Sequence, residues 1–351
     1  MEDFKVRFKH SYFWFAGILA LTACVLVLGW EEIKELLWQA NPNVLALLCL
    51  LQVGTLALSA YKWHFLLAKL APGYSFGRVF AVYLGGDFVE SITPAVKLGG
   101  EAARVYLFRR LTFLPYAQLA GVLVAHKYIS LLPFVLICTF FLILSLIRFE
   151  LPLLFILSFF ALIGLFAVVA LLMRGNRVTN FQVENPVTKM DTLPSLKVPQ
   201  WQKNWEGALI FLQDASRQAR SLVTVREQLL LFLISLFVWA LYPFKVYLVT
   251  SMLGLDVDML TVAIATYTAY MVSMIPFAPG GLGTFEGSMA LIFTLSGVSP
   301  ASGLAVALLS RLVTYWFSLL LSAVAAATLA LKDNPLSSGA CRPDSLRDPP
   351  Y

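Results

Sequence analysis

Ionisable side chains crowd into one short stretch of an otherwise apolar sequence: Asp87, Glu90, Lys97, Glu101 and Arg104. Asp87 and Glu90 are three apart, as are Glu101 and Arg104, and Lys97 precedes Glu101 by four. On a helical backbone each pair would share a face. Such a cluster between long apolar runs can line a wet path for a polar substrate, or form a salt-bridge lattice at the membrane interface. A second set is sparser. Arg311 is the only charged residue between Glu286 and Lys332. An isolated guanidinium there needs a carboxylate, such as Glu286, or a lipid phosphate. Lys127, beside His126, is its counterpart in the first half. His126 reads as a packing residue, and Lys245, beside Pro243, is a further mid-span cation. These patterns assign substrate binding to Lys97, Arg104, Lys127 and Arg311. Pairing, or coupling to an ion, falls to Asp87, Glu90, Glu101 and Glu286.

The chemistry that the sequence lacks narrows the reading. There is no G-x-x-x-x-G-K-[ST], no H-E-x-x-H and no G-x-S-x-G, so neither ATP hydrolysis nor a visible hydrolase is expected. Cys24, Cys49, Cys138 and Cys341 form no C-x-x-C pair, so neither a metal site nor a disulfide framework is expected. No catalytic residue and no cofactor is assigned. The glycine-rich GGLGTFEG lacks the preceding strand of a dinucleotide fold.

The elements that must position these residues follow from composition. Of 351 residues, 59% are hydrophobic and 13% charged, and mean hydropathy is +0.79. A soluble domain carries about twice that fraction of charge, and the 27 Phe, 13 Tyr and 8 Trp exclude disorder. Uncharged runs such as Leu36–Tyr61, Tyr128–Ile147, Met259–Phe285 and Leu312–Leu331 are long enough for helical spans. The expected fold is all-α and polytopic, with about 8–10 helical segments. Thr112–Ile147 reads either as one tilted helix or as two segments meeting near Pro133. Strand-like alternation is absent.

Two interruptions stand out. Pro94, Gly99 and Gly100 break the run at Ser91–Gly100; Pro276, Pro279, Gly280, Gly281 and Gly283 break it at Pro276–Gly287. Non-helical backbone at membrane depth must be covered by protein or line a wet cavity. Pro94 and Gly99 have the spacing of Pro276 and Gly281, offset by 182; Lys62 and Lys245 are offset by 183, Lys127 and Arg311 by 184. The echo suggests a duplicated, inverted unit with a break in each half. Whether the short segments at 98–111 and 284–298 cross or re-enter is open at this point.

Residues 1–331 read as one transmembrane domain carrying a loop at 174–226, followed by a loose polar tail at 332–351. Lys5, Arg7 and Lys9, with the eight Lys/Arg of the 174–226 segment, place the N-terminus and that loop in the cytoplasm. The C-terminus joins them if the short segment after Gly287 crosses or returns. The apolar Ser11–Trp30 stretch reads as a retained span, since Glu31-Glu32 stands where a signal peptide would have its cleavage site. The net charge of +6 reflects these loops and gives no reason to expect nucleic acid.

Three segments carry a family resemblance: ITPAVKLGGEAARVYLF (Ile92–Phe108), PFAPGGLGTFEGSMALIF (Pro276–Phe293) and RLVTYW (Arg311–Trp316). Together they resemble the flippase-like family, also called the lysylphosphatidylglycerol synthase transmembrane domain family, over about residues 10–331. The family-type positions are Pro94, Lys97, Gly99, Gly100, Glu101, Arg104, Pro279, Gly280, Gly281, Gly283, Glu286 and Arg311. The family often places Arg where His126-Lys127 stands here. The resemblance implies a membrane domain that moves polar-headed lipids between leaflets. The soluble aminoacyl-transfer domain of some relatives is not expected in this chain, nor is synthase activity. The leading expectation is a plasma-membrane flippase for a phospholipid or isoprenoid-linked lipid, working through a central polar cavity. The alternatives are a membrane glycosyl- or acyl-transferase using Asp87 and Glu90, and a non-catalytic assembly or sensor protein.

Overall fold

The computed structural model describes residues 40–93, 98–149, 153–174, 214–274 and 279–332, together with positions 31, 34, 35 and 38. Pro94, Lys97 and Pro276, and with them the centre of each expected break, lie outside the described residues, as does the tail beyond Lys332. Within the described residues the chain is helical and contains no strand. The helices are α1 (Pro42–Ala68), α2 (Phe76–Ile92), α3 (Leu98–Thr112), α4 (Tyr116–Arg148), α5 (Leu153–Arg174), α6 (Val225–Met252), α7 (Met259–Ser273), α8 (Thr284–Leu295), α9 (Pro300–Arg311) and α10 (Ser318–Lys332). A π-helical turn, Leu312–Phe317, joins α9 to α10. Four runs are long and apolar enough to cross a bilayer: Pro42–Ala68, Tyr116–Arg148, Val225–Met252 and Pro300–Leu331. The protein is an all-α, multi-pass membrane protein.

Local chemistry sets the helix ends. Asn41 caps α1 by accepting from the Asn43 amide at 2.9 Å, with Pro42 at the first helical position. Thr224 and Glu227 form a capping box at the start of α6. Outside the bundle, Leu136, Phe140 and Ile143 of α4 and Leu229 and Leu233 of α6 stay exposed at helical spacing, as expected of faces solvated by lipid.

The open question at Pro133 is resolved as a single 33-residue helix, α4. Pro243 likewise lies inside α6. A proline there has no N–H for the carbonyl four residues back. For Pro243 that carbonyl belongs to Trp239, and the Tyr267 hydroxyl of α7 donates to it at 3.1 Å. Trp239 in turn stacks on Phe134, centroids 4.0 Å apart, and its indole donates to the Ser130 carbonyl at 3.0 Å. At Pro243, then, the neighbouring helix supplies the missing bond.

The two halves match element by element. α1 and α6 have 27 and 28 residues, α2 and α7 have 17 and 15, α3 and α8 have 15 and 12, and α4's 33 answer the 32 of Pro300–Leu331. The contacts give their relative sense. Lys69 pairs with Glu227, Lys62 Nζ lies 3.0 Å from Ser235 Oγ, and Lys245 Nζ donates to Gln52 Oε1 at 2.5 Å. As the number on α1 falls, the number on α6 rises, so the corresponding helices run antiparallel and the repeats are inverted. Each half also packs a helix on the other: α2 against α10, and α7 against α4.

Tyr267→Phe leaves the Trp239 carbonyl buried without a donor. It is expected to cost about 1–3 kcal/mol of stability, read as a lower unfolding midpoint in detergent or nanodiscs. A change within error would show that the carbonyl finds another donor.

Candidate functional site

Close backbone approach builds the first break. α2 ends where Thr93 turns extended (φ −99°, ψ 134°), and Thr93 Oγ1 donates back to the Val89 carbonyl at 2.8 Å. α3 then folds against α2 so tightly that a Cβ on Gly100 would overlap the Glu90 side chain. Gly99 faces Thr93 in the same way. This contact sets Glu101 and Arg104 of α3 beside Asp87 and Glu90 of α2.

Arg104 is the hub. Its Nη1 donates to Glu101 Oε1 at 2.5 Å and its Nη2 to Glu90 Oε2 at 2.8 Å and also to Asp87 Oδ1. The guanidinium carbon lies 4.5 Å from the centroid of the Tyr83 ring. Glu101 also takes Lys127 of α4. Arg104 is 3% exposed, whereas the Lys127 side chain is 28% exposed. The structure therefore brings together Asp87, Glu90, Glu101, Arg104 and Lys127.

In the second break, Gly280 adopts φ +61°, and a Cβ there would overlap the Tyr315 ring. Only glycine fits this position. Gly281 packs on Ser273, and Gly283 precedes α8. Glu286 sits in the first turn of α8, where its Oε2 accepts from the Gly283 amide at 2.7 Å. Its Oε1 takes Arg311 Nε at 3.0 Å, and Arg311 Nη2 donates to the Gly280 carbonyl. Phe285 and Tyr315 flank the guanidinium. Of the two partners open to Arg311, the carboxylate holds it here.

The breaks are neighbours. The Tyr315 hydroxyl donates to the Ser91 carbonyl at 3.0 Å, so one ring touches the second break while its tip holds the end of α2. Glu101–Lys127 and Glu286–Arg311 occupy corresponding places in the two repeats. Residues 14–322 match the family described as the lysylphosphatidylglycerol synthase TM region. The chain belongs to that family. It is also similar to archaeal UPF0104 membrane proteins: 24% identity over 313 residues in Methanothermobacter thermautotrophicus (86% of this chain, 89% of that protein), and 25% over 341 in Pyrococcus horikoshii (91% and 96%). A relative from Methanocaldococcus jannaschii is 22% identical over 324 residues (90% and 94%).

Several partners in this family member escape the sequence patterns. Lys62 reaches Ser130 and Ser235, and Lys245 reaches Gln52 and Thr55; among the described residues neither forms an ion pair. The 183-residue offset that aligns the two lysines also aligns Gln52 with Ser235, a signal present in the sequence. Nothing comparable marks Tyr315. His126 and Trp63 are buried against each other, centroids 5.5 Å apart. A cavity of about 500 Å³ lies away from these charges, among apolar residues of α4, α6 and α7 that include Ile137, Leu236 and Leu260.

Removing Arg311 leaves Glu286 buried without its cation, and Arg311→Met is expected to destabilise by about 3–5 kcal/mol. The Arg311→Met/Glu286→Met double variant should cost less than the two single changes added together. Additive costs in a double-mutant cycle would show that the two side chains do not interact.

Proposed function

We propose that this chain is a lipid transporter, moving a polar, phosphate-bearing phospholipid or isoprenoid-linked lipid between leaflets along the contact of its two inverted repeats. The observation that carries the reading is the meeting of two helix breaks, each holding a cation–carboxylate pair at corresponding positions. A phosphate offers the same acceptor geometry as a carboxylate, so a head group can take a carboxylate's place at these cations. Lys127, with its exposed flank, is the first contact. Lys97, Arg104 and Arg311 complete the substrate-binding set, with Asp87, Glu90, Glu101 and Glu286 as exchange partners. Residues 1–331 act as one unit in the plasma membrane, with the N-terminus, the 174–226 segment and the C-terminus cytoplasmic. No nucleotide hydrolysis is assigned to it.

Purified protein reconstituted in vesicles with fluorescent phospholipids and isoprenyl phosphates is expected to speed transbilayer movement of one class. Lys127→Ala should slow it about tenfold, the kinetic equivalent of one lost charge-assisted hydrogen bond of ~1.4 kcal/mol. If folded protein moves every one of these lipids no faster than empty vesicles do, the transporter reading is wrong.

A further inference from the structure

The apolar cavity of about 500 Å³ lies between Ile137 and Phe141 of α4, Leu236 and Ala240 of α6, and Met259 and Leu260 of α7. Leu236, Met259 and Leu260 are 37%, 42% and 39% exposed, so the cavity is a groove open along its rim. Beside it on the same helices stand Leu136, Phe140 and Leu233, exposed residues of the face solvated by lipid. The groove therefore opens to hydrocarbon. Its walls offer nothing to water. Tyr267 gives its hydroxyl to the Trp239 carbonyl, Pro243 has no N–H, and the other lining side chains are apolar. An apolar cavity stays dry and takes an apolar guest.

One end of the groove is charged. Asp258 directly precedes Met259, and Arg148, at the end of α4, donates to its two oxygens at 3.3 and 3.4 Å. Both side chains are largely exposed, and a surface pair of this length is weak. Asp258 has other bonds: it caps α7, accepting from the Thr261 amide at 3.2 Å and hydroxyl at 2.5 Å. Among the described residues, it takes two of the five N–H groups that a guanidinium carries. The exposed remainder of the Arg148 fork has the geometry that binds a phosphate.

We propose that this groove is a binding site for a phosphate-bearing membrane lipid, with one hydrocarbon chain between α4, α6 and α7 and the phosphate on Arg148. The dimensions agree. Ile137 stands eleven residues before Arg148 and Tyr267 eight after Met259, which is about 16 Å along α4 and about 12 Å along α7. Half of a hydrocarbon core ~30 Å thick is the reach of a chain in one leaflet. The lipid is held at two points, so it differs from lipid that merely solvates the exposed faces of α4 and α6. The site shares no residue with the cation–carboxylate pairs of the breaks, and it does not rest on the transporter reading.

The full chain in vesicles containing a phospholipid with a photoreactive diazirine on one acyl chain tests the groove. Labelling is expected to concentrate on Ile137, Leu236 and Leu260. It should fall severalfold at Ile137 and Leu236 in Ala240→Trp and in Leu260→Trp, rim changes at exposed positions that leave the packed core untouched. Leu229→Trp, elsewhere on the lipid face of α6, should leave it unchanged. Labelling spread evenly along the exposed faces of α4 and α6, or unaffected by both rim variants, overturns the chain site. Native mass spectra of the purified protein test the phosphate seat. One phospholipid should stay bound through detergent washing. Arg148→Gln should reduce its retention about tenfold while leaving retention of diacylglycerol, which has no phosphate, unchanged. Equal retention of the phospholipid by wild type and Arg148→Gln overturns the phosphate seat.

Discussion

A peptide carbonyl or amide left open at membrane depth costs several kcal/mol, and this chain interrupts its helices twice. Arg311 and Glu286 meet that constraint as a unit. The guanidinium takes the Gly280 carbonyl, the carboxylate takes the Gly283 amide, and the two groups neutralise each other. Each side chain thus closes backbone that the surrounding helices leave open. A buried charge pair is a costly way to satisfy a loop.

The antiparallel contact of α1 and α6 brings the two breaks to one place. Each helix sends a lysine to a neutral side chain of the other, Lys62 to Ser235 and Lys245 to Gln52. Neither of these two lysines meets a carboxylate there; the ion pair of this contact, Lys69–Glu227, lies at its end. The exchange of α2 and α7 onto α10 and α4 then makes each half incomplete alone.

Much of this arrangement is legible in the sequence, for identifiable reasons. Uncharged runs mark the spans because lipid tolerates nothing else. Paired glycines mark both breaks because Gly100 and Gly280 have no room for a Cβ. The offset of Lys62 and Lys245 discloses the duplication. The pairing of Arg104 is less legible, since spacing along one helix cannot show that α3 folds back on α2. Tyr315 is hidden for the same reason: its hydroxyl reaches Ser91, 224 residues away, and no local pattern encodes such a contact. Pro243 illustrates the reverse case. A proline that would end a helix in water is carried through α6 because the Tyr267 hydroxyl bonds the Trp239 carbonyl that the backbone leaves open.

The π-helical turn at Leu312–Phe317 acts as a phase shifter. One inserted residue advances the helical wheel by about 100°, so the run from Pro300 to Leu331 presents two unrelated faces. Before the turn it points Arg311 at its own repeat's break; after it, α10 lays its side chains on α2 of the other repeat. The irregular turn lies where this span passes from one repeat to the other, and Tyr315, which bridges the two breaks, lies within it.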